Sequence, residues 1–114
     1  MNWTERQKKY PKSIVLIKKW LHLKLDKEGD FGLNQISKLF HTERRLFDFF
    51  DGEGIIIYIY DSMPWCAEKI FSCTISWEEK EERKSYYVYE FKTRTEAEES
   101  AFLKAFEILE QREN

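Results

Sequence analysis

The sequence predicts an α+β domain in the order α-α-β-β-β-α, a three-stranded antiparallel meander with the C-terminal helix packed on one face. Three observations predict it. Apolar residues recur at intervals of three and four up to Phe50, β-branched and aromatic residues dominate Ile55–Tyr60 and Ser85–Phe91, and a capped amphipathic stretch ends the chain. Helices set to one side of an antiparallel sheet make that class.

Residues 1–10 are polar and basic and are expected to fray, with Trp3 and Tyr10 as the residues able to dock. Pro11 suits the first position of a helix, where its missing N–H costs nothing. Ile14, Ile17 and Leu21 continue the helical stripe, so a helix is predicted over 11–25, and Lys-Glu-Gly-Asp at 27–30 reads as a turn. A second helical stretch runs from Leu33 to Phe50, with a polar interruption at His41–Arg45 that reads as a break between two shorter helices. Asp51-Gly52-Glu53-Gly54 ends it, because glycine adopts the left-handed conformation that closes a last turn.

Ile55–Tyr60 reads as a strand covered on both faces. From Lys69 to Trp77 the period is two, which predicts a half-buried strand. Glu78–Lys84 is a run of seven charges read as a solvated hairpin loop, and Ser85–Phe91 returns as a third strand. In the final helix, predicted over 95–112, Thr95-x-x-Glu98 is a capping box; Thr93-x-x-Glu96 offers the same chemistry two residues earlier. Ala97, Ala101 and Ala105 form a small-residue stripe that allows close approach to a sheet.

The chain is read as a single domain over residues 1–114. With 42% hydrophobic and 17% aromatic residues it has enough to bury, which excludes intrinsic disorder. Two cysteines, Cys66 and Cys73, are too few for a secreted disulfide scaffold. No apolar run is long enough for a membrane span, so a cytoplasmic location is expected. Net charge is −2, but residues 1–50 carry 11 Lys and Arg against 6 Asp and Glu, a net +5, while residues 51–114 carry 8 against 15, a net −7. The simpler reading is that the halves neutralise each other; the sharper one is a basic face for an acidic partner.

Leu46-Phe-Asp-Phe-Phe-Asp-x-x-Gly-Ile55 and Thr93-Arg-Thr-Glu-Ala-Glu-x-x-Ala-Phe-x-Lys-Ala-Phe-Glu-Ile-Leu-Glu110, with Tyr10-Pro-Lys, resemble a family of small bacterial proteins of unknown function associated with gut anaerobes and mobile elements. The resemblance implies a stand-alone bacterial domain and no activity.

No catalytic constellation is expected, and the protein is read as non-enzymatic with no cofactor or metal. His22 and His41 each sit among polar residues, and nothing pairs either with a nucleophile. Asp48, Asp51 and Glu53 cluster at a turn, where Asp beside Gly is the ordinary arrangement; no calcium-loop spacing or phosphate loop is present. The order helix, three strands, helix is shared with double-stranded-RNA-binding domains. Against that, Glu96, Glu98 and Glu99 stand in the first turn of the last helix and would repel phosphate. A helix-turn-helix spacing over 33–50 would place Arg44 and Arg45 at the start of a reading helix, but His41 stands where the turn glycine belongs. Together with Lys8, Lys9, Lys12, Lys18 and Lys19 these cations form the nucleic-acid alternative.

The preferred reading is a protein-interaction module, with another protein or a second copy of the chain as partner and no membrane. Tyr58 and Tyr60 share one side of the first strand, and Tyr87, Tyr89 and Phe91 share one side of the third. Facing away from the last helix, they would form a stacking platform, with Trp65 as an apolar loop tip beside it. The competing expectation is that the N-terminal helices cover that face.

Overall fold

A computed structural model of the chain describes residues 3–25, 32, 35–36, 44–61 and 70–112. The fold is α+β. Helices α1 (Trp3–Lys9), α2 (Pro11–Leu25) and α3 (Arg44–Gly52) precede strands β1 (Ile56–Asp61), β2 (Phe71–Glu79) and β3 (Glu82–Phe91), and helix α4 (Arg94–Arg112) follows. The described contacts group into two compact units, one of residues 1–49 with 106–114, the other of residues 50–105.

In the first unit, α2 has the predicted limits. Ile14, Ile17 and Leu21 are buried on one face, and Val15 on the other is 51% exposed. Trp20 meets the buried Phe49 of α3 edge-on, ring centroids 5.9 Å apart. Between these helices Gln35 and Ile36 are helical. The Gly32 amide donates to Gln35 Oε1 at 3.1 Å, and the Ile36 amide donates to Gly32 O at 3.1 Å. The predicted interruption at His41–Arg45 lies largely outside the described residues; helix resumes at Arg44.

The expected fraying of residues 1–10 is corrected over residues 3–10. Trp3–Lys9 is helical, and Arg6 and Tyr10 are buried. The anchor is Phe106, which Tyr10 stacks on at 5.4 Å and 14°, while Trp3 meets it edge-on at 6.4 Å. The Arg6 guanidinium lies 4.6 Å from the Trp3 ring and 5.6 Å from the Phe106 ring, a cation between two π faces. Pro11 then breaks the backbone, and the amides of Lys12 and Ser13 donate to the carboxylate of Glu110 at 3.1 and 3.0 Å.

The second unit opens with a Schellman closure of α3. The Ile55 amide donates to Phe50 O at 2.9 Å and the Gly54 amide to Asp51 O at 3.0 Å, with Gly54 at φ 79°. Phe50 and Ile55, the apolar pair this motif favours, are both buried. The chain then enters a three-stranded antiparallel sheet of order β1-β2-β3. Helix α4 packs on it, with Ala97, Ala101, Phe102 and Ala105 fully buried and Phe102 stacked on Phe50 at 6.2 Å. Burying one such phenylalanine contributes about 2–3 kcal/mol.

Of the two capping threonines, the earlier one caps the helix. The Glu96 amide donates to Thr93 Oγ1 at 3.1 Å, so the helix starts at Arg94. Glu98, which the later box would need, is paired instead with Arg94 at 2.9 Å.

The seven-charge loop is corrected to a tight hairpin. Glu79 pairs with Glu82, leaving only Lys80 and Glu81 in the turn, at φ 51° and 67°. Two consecutive left-handed residues define a type I′ turn, normally filled by Asn-Gly. A side chain at positive φ is strained by about 1 kcal/mol. Replacing Lys80-Glu81 by Asn-Gly is expected to raise unfolding free energy by about 0.5–1 kcal/mol, after allowing for glycine's greater entropy when unfolded; chemical denaturation checks it.

Candidate interaction surface

The pairing register sorts the sheet into two faces. Ile57, Ile59, Cys73, Ile75, Tyr86 and Val88 align on one. Cys73 and Ile75 are fully buried there, and burial pushes the Cys73 thiol pKa up, which keeps it protonated and inert. Tyr86, at the margin, lies under Lys104, whose Nζ is 4.5 Å from the ring centroid.

The other face carries the tyrosines. Tyr58, Thr74 and Tyr87 are direct partners across three strands, Tyr60 lies opposite Ser72, and Ser76 lies between Ile56 and Ser85. Tyr58 is 58% exposed, Tyr60 37% and Tyr87 55%. For the same reason β1 is not a strand covered on both faces: its isoleucines are half-buried and its tyrosines face outward.

Thr74, polar and on this outer face, is nevertheless 9% exposed. The Tyr60 hydroxyl bonds to Thr74 Oγ1, and Ser76 Oγ and Ser85 Oγ are 3.4 Å apart. Hydrogen bonds from Tyr60, and then from Thr74, lower the pKa of the Tyr87 phenol, against a smaller opposing effect of desolvation. The face is thus a surface of rings with a hydroxyl seam along the central strand. Its charged positions, Glu78 and Arg83, are cross-strand partners at the hairpin end.

Phe91 does not share this face. The register shifts between Phe71 and Cys73, so that Phe91 pairs with Phe71 while Val88 pairs with Cys73, and Glu90 adopts φ 70°. This bulge adds one residue to β3 and turns Phe91 to the Cys73 side. Tyr89 belongs to β3, but its side chain and all of Trp65 lie outside the described residues. Periodicity identified the tyrosines; it held no signal for the bulge, which inserts no glycine.

The alternative cations are distributed over three helices, with Lys8 and Lys9 exposed on α1 and Lys12 exposed on α2. Lys18 is half-buried and Lys19 exposed on α2; Arg44 begins α3 and Arg45 is exposed on it. His41 and Cys66 lie outside the described residues, as does the centre of the helix-turn-helix spacing. Among the described residues, no cluster of His, Cys, Asp or Glu is placed to hold a metal ion, and no helix is long and apolar enough to cross a membrane.

The fold and this surface define a small α+β domain presenting one tyrosine- and hydroxyl-bearing sheet face. No family model, curated protein or solved structure matches the chain.

Proposed function

We propose that the protein is a non-enzymatic interaction module of a bacterial cytoplasm that docks another protein, or a second copy of itself, on the Tyr58–Tyr60–Tyr87 face. The observation that carries this reading is the exposure of three tyrosines on one regular sheet face. Tyrosine presents a large rigid area at little entropic cost, and Ser and Thr hydroxyls adapt as donor or acceptor; binding surfaces selected for protein recognition favour this mixture. Nucleic-acid binding through Lys18, Lys19, Arg44 and Arg45 is the second reading, motivated by the +5 balance of residues 1–50. The tyrosine face lacks the excess of cations that phosphate binding requires, which favours the protein partner.

The test compares the full chain with a Tyr58→Ser/Tyr87→Ser variant. Both positions are exposed, so the variant is expected to fold. Sedimentation across a concentration series reads self-association, and retention of bacterial proteins on immobilised chain reads other partners. Loss of either signal in the variant supports the face. Unchanged retention, or steeply salt-dependent oligonucleotide binding abolished by Lys19→Ala/Arg45→Ala, overturns the reading.

A further inference from the structure

We propose that β1 is a self-pairing edge: two copies of the chain join antiparallel along Ile56–Tyr60, so that their sheets run on into one. The inference goes beyond the docking reading, because it rests on the backbone edge of the sheet and not on its ring surface. In the described sheet β1 pairs with β2 on one side only, and β3 forms the other edge. An edge strand presents a row of N–H and C=O groups that templates a further strand, and folded proteins commonly blunt it with charge, a bulge or a covering group.

The two edges differ in these devices. Strand β3 carries charge at Glu82, Arg83, Lys84 and Glu90, its register shifts at a bulge, and Lys104 lies over the ring of Tyr86. Strand β1 runs Ile-Ile-Tyr-Ile-Tyr in unbroken register before its first charge, Asp61. Such β-branched and aromatic residues suit a paired strand. Burial is also incomplete along β1. Ile57 and Ile59 are half-buried, whereas their direct partners Ile75 and Cys73 are fully buried. A further strand with apolar residues at alternate positions would complete that layer.

A second β1 is such a strand. With the two-fold axis at Tyr58, Ile57 of each copy meets Ile59 of the other, and Ile56 meets Tyr60. The isoleucines Ile57 and Ile59 of both copies then share one face and the tyrosines the other. Asp61 falls at the two outer ends, far from its symmetry mate, so no like charges oppose each other. Moving the axis to Ile59 would set Asp61 against Ile57 in the apolar layer. Moving it to Ile57 would overrun Gly54, which closes α3 at φ 79°.

The experiment takes the full chain through a concentration series by sedimentation velocity, with amide exchange read in parallel. One short strand per copy makes a small interface, so the mass is expected to rise from monomer toward dimer as concentration increases. Over the same range the alternate amides of β1 that point away from β2 should slow in exchange. Tyr58→Lys, at an exposed position, sets two like charges at the axis and should weaken association roughly tenfold or more. Tyr58→Glu should do the same, and an equimolar mixture of the two variants should associate again, which also shows that both fold. A chain that stays monomeric at every concentration overturns the inference and leaves the edge to a strand of another protein. So does a dimer whose β1 amides exchange unchanged, a dimer that Tyr58→Lys leaves intact, or a mixture that stays monomeric. Tyr87→Ser, on the opposite edge strand, should weaken docking and keep the dimer, so the two readings fail separately.

Discussion

Replacing Phe106 by Ala is expected to lower the unfolding free energy by about 3–5 kcal/mol, the range for truncating a fully buried aromatic. Phe106 has no exposed surface, and its ring is the common partner of Tyr10, Trp3 and Arg6. The loss should be distributed unevenly. Trp3 and Arg6 of α1 both meet this ring, and seven residues are too few to hold a helix in water unaided. Amide exchange along Trp3–Lys9 should therefore accelerate before the rest of the chain unfolds. Phe106→Leu, which keeps apolar volume but not the stacking face, should fall between the two. A Phe106→Ala protein within about 1 kcal/mol of the parent, with α1 amides still protected, would contradict this account of how the N-terminus is held.

Replacing Glu110 by Ala should cost about 2 kcal/mol, the scale for losing hydrogen bonds to a charged acceptor and exposing the donors they satisfied. Helix α2 begins with Pro11 and has no acidic residue in its first turn. Its orphan amides at Lys12 and Ser13 are satisfied from α4, where Glu110 also accepts the Ser13 hydroxyl at 3.0 Å. The carboxylate serves as an N-cap supplied 97 residues away, and its charge is favourable at the positive end of the helix. Glu110→Gln retains one acceptor oxygen and loses the charge, so about 1 kcal/mol is expected. The two losses should be coupled to Ser13→Ala in a double-mutant cycle, because Ser13 (fully buried) bonds to the same oxygen. Strictly additive effects would show that the carboxylate does not hold the Ser13 hydroxyl.

What was legible in the sequence was local. Pro11 and the spacing of Ile14, Ile17 and Leu21 determine α2 from within, and Gly54 closes α3 through bonds spanning five residues. The Thr93 and Thr95 boxes were equally visible; the choice between them turned on a side-chain pair, Arg94 with Glu98, that spacing does not rank. What was not legible depends on distant partners. Residues 3–9 lack an amphipathic stripe of their own, and the anchoring ring is Phe106. The charged run at Glu78–Lys84 hid a two-residue turn, because Lys and Glu are unusual at left-handed positions. Periodicity placed Tyr58 and Tyr60 on one face, whereas the bulge moves Phe91 off the side that it predicts for Tyr87. The exposure of the tyrosines was not readable, since nothing in an alternating strand says which face finds a neighbour.

The proposed docking requires that the outer tyrosine face be open to solvent. A soluble paramagnetic relaxation agent, added to isotope-labelled protein, measures this residue by residue. The ring resonances of Tyr58 and Tyr87 should broaden strongly at agent concentrations that leave Tyr10 and Phe102 sharp. If instead Tyr58 and Tyr87 stay as sharp as Tyr10, the face is covered, and docking cannot occur there.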